Sequence, residues 1–169
     1  GIFMKAFQIC EVKDFMSKML IRNIFDQFLL FELSLTTNVT YNIDGTLHPD
    51  FYDAGEAEQL KAHEQTHVLW SDVRPFCFSL IKGKKTPLNF KIVFQLARPD
   101  VEHLLSQSSL GIQADDIFGL YLNCQFDGEH LTCVTGTSLR FFTMDKSLDY
   151  AWDDKVTRFF KTQGITFES

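Results

Sequence analysis

Between Leu88 and Leu96 the chain alternates without a break: Leu88, Phe90, Ile92, Phe94 and Leu96 fall on one side of an extended strand, and Asn89, Lys91, Val93 and Gln95 on the other. A period of two sustained over this stretch excludes a helix and demands a sheet with one apolar face. A second run, Phe118 to Phe126, places Phe118, Leu120, Leu122, Cys124 and Phe126 on one side and is followed by Asp127-Gly128, Leu131 and Cys133. Read as a two-residue turn, Asp-Gly pairs Phe126 with Glu129, Cys124 with Leu131 and Leu122 with Cys133, so the apolar faces coincide. An earlier hairpin, with Thr36-Thr37-Asn38 as its loop and Asn38 left-handed, sets Leu35 opposite Val39, Leu33 opposite Tyr41 and Phe31 opposite Ile43.

Helical stripes alternate with these ribbons. Val12, Phe15, Met16, Met19 and Leu20 form one; Val73, Phe76, Cys77, Leu80 and Ile81 form another that stops at Gly83, with Pro75 starting or kinking it. Ala54 to Trp70 reads as a polar surface helix. A short helix opens at Pro99 with Val101, Leu104 and Leu105 inward, and residues 106–111 read as loop. The last helix is capped by Asp145, turns Leu148, Ala151, Trp152, Val156 and Phe159 to one side and ends near Gly164. Phe3, Phe7, Gln8 and Ile9 recur as Phe90, Phe94, Gln95 and Leu96, each set followed by a helix, a hairpin and an acidic helix. The expected fold is α+β, an antiparallel sheet with helices on one side, built as one domain over 2–169 from repeats of a β-α-β-β-α unit at 2–82 and 88–163. The alternative is a ferredoxin-like unit over 2–97 with a C-terminal extension.

At 169 residues, 45% of them hydrophobic and 22% charged, the chain can bury a core of its own and is neither a disordered tail nor a disulfide-knotted miniprotein. A formal charge of −6 argues against a broad surface for nucleic acid or anionic membrane. No apolar window approaches the length of a membrane span, and Gly1-Ile2-Phe3-Met4-Lys5 lacks the apolar stretch of a secretory signal. Cys10, Cys77, Cys124 and Cys133 form no C-x-x-C pair and lie in apolar segments, as buried thiols of a reducing cytoplasm would.

His63-Glu64-Gln65-Thr66-His67 is H-E-x-x-H. On a helix its imidazoles would stand one turn apart and could ligate Zn²⁺ while Glu64 activates the bound water, with Glu102 or His103 as a third ligand. Its flanks are poor, because Trp70 and Val73 occupy the places of the glycine and third histidine of a longer zinc signature. The competing reading is a half-buried helix face around Leu60, His63, His67 and Trp70. Lys82, Lys84 and Lys85, with Lys91 on the polar side of its strand, make the one anion-binding candidate. No upstream glycine completes a phosphate loop, and lysines after a helix complement its negative end. Asp115-Asp116 and Asp153-Asp154 read as solvated charge. Phenylalanine is over-represented, at 18 residues, and the adjacent pairs Phe51-Tyr52, Phe141-Phe142 and Phe159-Phe160 cannot both face inward on regular elements, so some rings need cover from elsewhere.

The stretches Phe15-Met16-Ser17-Lys18, Arg74-Pro75-Phe76, Leu80-Ile81-Lys82-Gly83-Lys84, Phe90-Lys91-Ile92-Val93-Phe94-Gln95, Thr135-Gly136-Thr137-Ser138-Leu139 and Arg158-Phe159-Phe160 resemble an uncharacterised family of small proteins from anaerobic Gram-positive bacteria. That resemblance implies no activity, cofactor or site residue. The order of elements is also similar to the repeated units of DNA processivity clamps, in topology alone. The expectation is a cytoplasmic, non-enzymatic protein working through protein contacts as a homodimer, without cofactor, membrane or nucleic-acid partner. A zinc hydrolase using His63, Glu64, His67 and Glu102 is the second reading, and a clamp-like or anion-binding module the third.

Overall fold

The computed structural model describes residues 5–81 and 85–169. Seven strands are present in these residues: β1 (Ala6–Ile9), β2 (Leu29–Thr36), β3 (Thr40–Asp44), β4 (Asn89–Gln95), β5 (Ile117–Phe126), β6 (Leu131–Leu139) and β7 (Phe167–Glu168). They form one antiparallel sheet in the order β3-β2-β4-β5-β6-β1-β7, so the two alternating runs lie near its middle. Five helices accompany them: α1 (Val12–Leu20), α2 (Ala54–Ala62), α3 (Trp70–Ile81), α4 (Arg98–Ser108) and α5 (Ser147–Thr162). The architecture is α+β. Among the described residues no helix is long and apolar enough to cross a membrane.

One face of the sheet carries the core. Phe90, Ile92 and Phe94 of β4 align with Phe126, Cys124 and Leu122 of β5, and these with Leu131, Cys133 and Thr135 of β6. Helices α1, α3 and α5 cover that face through buried rings. Phe94 stacks on Phe25 at 4.7 Å and meets Trp70 edge-on, while Phe160 of α5 meets Phe7 of β1 and Phe15 of α1. Each such ring removes from water an area worth about 1.5–3 kcal/mol, which is why so few residues fill the space. Lys18 is buried too: its ammonium bonds Asp14 at 2.6 Å and the Gly164 carbonyl at 3.1 Å, fastening α1 to the end of α5. On the opposite sheet face Ser34, Lys91, Tyr121, Asn123, Thr132 and Val134 are half-buried, and Val93 and Gln95 of β4 are buried.

Both hairpins lose the expected registers, and Phe31 and Phe118 also leave the expected faces: a bulge between Leu30 and Glu32 turns Phe31 onto His67 and Tyr121, and one between Ile117 and Gly119 leaves Phe118 exposed. Phe126 pairs with Leu131 and Cys124 with Cys133, because Asp127 accepts hydrogen bonds from the backbone N–H groups of Glu129 and His130 and lengthens the turn to four residues. Leu35 pairs with Tyr41 and Leu33 with Ile43; Thr36 pairs with Thr40, and Asn38 does not adopt a left-handed backbone. A shift of two residues leaves the side chains near the turns, such as Leu33, Leu35, Cys124 and Phe126, on their original face. Leu88 lies before β4 and is exposed, and α4 runs on through Ser108 to a left-handed Ser109. Pro75 sits inside α3, where Phe76 faces solvent and Cys77 the core; Gly83 lies outside the described residues.

The β-α-β-β-α order recurs, but the pairings of the two segments are not equivalent. β4 lies between β2 and β5, whereas its counterpart β1 lies between β6 and β7. The same placement removes the ferredoxin-like alternative, since three strands separate β1 from β2.

On α5 the expectation for Asp153 is corrected. Asp149 and Asp153, one turn apart, are both buried against β6, where they accept hydrogen bonds from the hydroxyls of Thr137 and Thr135. Only Asp154 is on the solvent side, paired with Arg158 at 2.9 Å.

Candidate functional site

The H-E-x-x-H segment does not form a helix. Helix α2 is opened by a reciprocal cap, with the Asp53 carboxylate accepting from Glu56 N–H and the Glu56 carboxylate from Asp53 N–H, and it ends at Ala62. His63 closes it, its Nδ1 donating to the Gln59 carbonyl at 2.9 Å, and Glu64 turns left-handed at φ 52°. Residues 66–70 are then held extended: Leu47 N–H donates to Thr66, Val68 N–H to Gly45, Leu30 N–H to Val68 and Trp70 N–H to Phe28. Four tertiary backbone bonds outweigh the helical propensity that the segment carries in isolation.

The two imidazoles therefore serve different neighbours. His67 stacks on Phe31 at 4.9 Å with its Nδ1 2.8 Å from the Thr66 hydroxyl; burial lowers its pKa against the pull of Asp44. His63 is exposed on α2's end. The helical geometry required for zinc is absent, and among the described residues no three His, Cys, Asp or Glu side chains gather as a metal-ligand group. His103 is exposed on α4.

What the fold does bring together is Glu64 and Glu102, on Arg98 instead of on a metal. Arg98 Nη1 lies 2.8 Å from Glu64, Nε 2.8 Å from Glu102 and Nη2 2.7 Å from Asp115. The guanidinium fork suits three acceptors at once, and its hydrogen bonds to Glu102 and Asp115 raise its pKa further. One side chain thus ties the 63–67 segment, α4 and the turn before β5. Asp115 is consequently paired, and Asp116 accepts from Gln113 N–H.

Beside this hub a cleft of about 740 Å³ runs between the 60–66 segment and the start of β5. Its polar wall includes Gln95, which is buried and whose Nε2 donates to Phe118 O at 3.5 Å, while its Oε1 has no partner among the described residues. At the rim the Arg140 guanidinium lies 4.2 Å from the centre of the Phe118 ring, a cation–π contact that leaves the charge facing solvent. From Arg140 the chain enters the loop between β6 and α5, where Phe142 is 88% and Met144 78% exposed, Phe141 is exposed beside them, and Tyr150 is exposed in the first turn of α5. Asp145 accepts from Ser147 N–H at 2.9 Å and from its hydroxyl at 2.6 Å, which lowers the Asp145 pKa and fixes the loop to α5.

The lysine candidate is divided. Lys82 and Lys84 lie outside the described residues, Lys85 is exposed, and Lys91 sits on the open sheet face 3.4 Å from Glu32. Arg98 and Gln95 carry no motif and escaped the sequence reading, although Arg98 stands four residues before Glu102 on a helix opened by Pro99, a spacing that favours an ion pair.

Neither the curated proteins nor the solved structures hold a match to this chain. A family model matches residues 18–168, and on that match the chain belongs to DUF5721, a family of unknown function.

Proposed function

We propose that the protein is a non-enzymatic interaction module of the cytoplasm that pairs with a second copy of itself through the loop between β6 and α5. The observation that carries this reading is the exposure of Phe142 and Met144 on a loop anchored at both ends, by Arg140 N–H on Asp116 and by Asp145 on Ser147. An anchored loop loses little entropy on contact, and each of the two side chains offers about 1.5–3 kcal/mol when removed from water.

Charge favours a second copy as the occupant. The molecule carries −6, yet the loop carries Arg140 and Lys146 against Asp145, so across a twofold axis the cations of one loop face the ionised Asp145 of the other. Hydrogen exchange at rising protein concentration tests the surface: amides of residues 141–146 are expected to gain protection while those of the 37–39 loop do not. Unchanged exchange at 141–146 across the concentration range would count against the reading.

A further inference from the structure

On the helical side of the sheet, away from the Arg98 hub, a second cavity of about 440 Å³ opens between the α1–β2 connection, the start of α4 and α5. Its apolar wall includes Phe28, Trp152 and Phe159, and two side chains of opposite charge, Asp100 and Lys155, line the same space. Both are half-buried, and neither has an ion-pair partner among the described residues. The other ion pairs along α4 and α5 do not reach them: Arg98 is bound to Glu64, Glu102 and Asp115, and Arg158 to Asp154.

The walls are fixed before any ligand arrives. Trp152 Nε1 donates to the Tyr121 carbonyl at 2.9 Å. Phe159 meets Phe28 edge-on at 5.5 Å and Phe25 at 5.4 Å, which is why this ring of the Phe159-Phe160 pair lies half-buried at the cavity while Phe160 enters the core. The connection that carries Phe28 is held from outside by Arg74, which grips both carboxylate oxygens of Asp26 at 2.8 and 2.9 Å. A cavity of this size with a rigid aromatic wall and a few polar groups is the ordinary form of a small-molecule site.

We propose that this cavity binds a small zwitterion with an apolar body, the chemistry that free apolar amino acids present. Asp100 receives the ammonium, Lys155 the carboxylate, and the body lies against Phe28 and Phe159. Two charges held in one cavity without neutralising each other favour a ligand bearing both complements over one bearing either, because a singly charged ligand leaves one protein charge desolvated and unpaired. Asp100 stands in the first turn of α4, where a negative charge complements the helix N-terminus.

Titration of the intact protein with L-phenylalanine and L-leucine, followed by backbone amide shifts, tests this. The expected result is saturable binding of at least one of them, with shifts confined to residues 23–28, 96–100 and 152–163. Phenethylamine and 3-phenylpropionate, each with one charge, are expected to bind at least about tenfold more weakly than L-phenylalanine. Asp100→Asn should bring L-phenylalanine down to the level of 3-phenylpropionate, and Lys155→Met to that of phenethylamine. No shift with either amino acid at about 10 mM would overturn the proposal. So would half-probes that bind the unaltered protein as well as L-phenylalanine, a comparison that does not depend on whether the variants fold.

Discussion

Asp153 is buried against β6 where solvated charge is expected. Nothing in a sequence distinguishes it from Asp154, and helical geometry alone turns one to Thr135 and the other to water. Burial raises its pKa above the ordinary 3.8, opposed by the Thr135 hydrogen bond; Asp149 pushes upward as well and Lys5 downward. The folded protein therefore retains this proton to higher pH than the unfolded chain, and Asp153 withdraws stability as pH rises from 3.8 through its folded value. Asp153→Asn is expected to raise the urea midpoint at pH 7 and to raise it less at pH 4; a lower midpoint at pH 7 would show that the charge itself holds α5 to β6. The thiols give a second residue-scale expectation. Cys10 is exposed, Cys77 is pushed up to about 12 by burial, and Cys133, buried beside Cys124 with the sulfurs 3.1 Å apart, is raised well above the ordinary thiol value. An aromatic disulfide reagent should titrate Cys10 rapidly in the native protein and the other three only after denaturation. The burial of Cys124 and Cys133 was legible, because alternation fixes a face; the partner each meets was not, because it depends on how many bonds the Asp127 side chain makes.

Elements were legible where a local period dominates and illegible where a distant backbone competes. The stripe from Val12 to Leu20 is α1; Asp145, expected to cap α5, lies one residue before its cap Lys146 and bonds Ser147 instead of capping the helix. Helix α2 was read as running to Trp70 because nothing within the segment reveals that Phe28, Leu30, Gly45 and Leu47 bond it in extended form. That breakage dissolves the zinc geometry and leaves Glu64 and Glu102 on Arg98. Gly45 is the point on which the extended arrangement depends. Its N–H donates to Phe31 and its carbonyl accepts from Val68, and a Cβ there would overlap the Leu30 carbonyl oxygen, close to where β2 shifts register between Leu30 and Glu32. Gly45→Ala is expected to cost about 3 kcal/mol or more in urea unfolding. A loss below about 1 kcal/mol would mean that β2 and the 45–47 segment can separate freely.

At the scale of the whole molecule, the α+β class and the one-sided placement of α1, α3 and α5 follow from the apolar faces. The strand order does not, because β1 reaches β6 and β7 across most of the chain, and no local pattern encodes a contact of that span. Aromatic abundance had a similar mixed legibility: Phe160 fills the core, Phe159 walls a cavity, and Phe142 lies out in solvent. It is for this last class that we propose self-association. Sedimentation equilibrium on the unaltered chain and on Phe142→Ser/Met144→Ser measures it directly, since both positions are exposed and their replacement should leave the urea midpoint unchanged. The unaltered protein is expected to fit a monomer–dimer equilibrium, and the double variant to dimerise at least about 100-fold more weakly. A monomer throughout the concentration range, or a dimer as tight in the variant as in the original, would contradict a contact through the loop between β6 and α5.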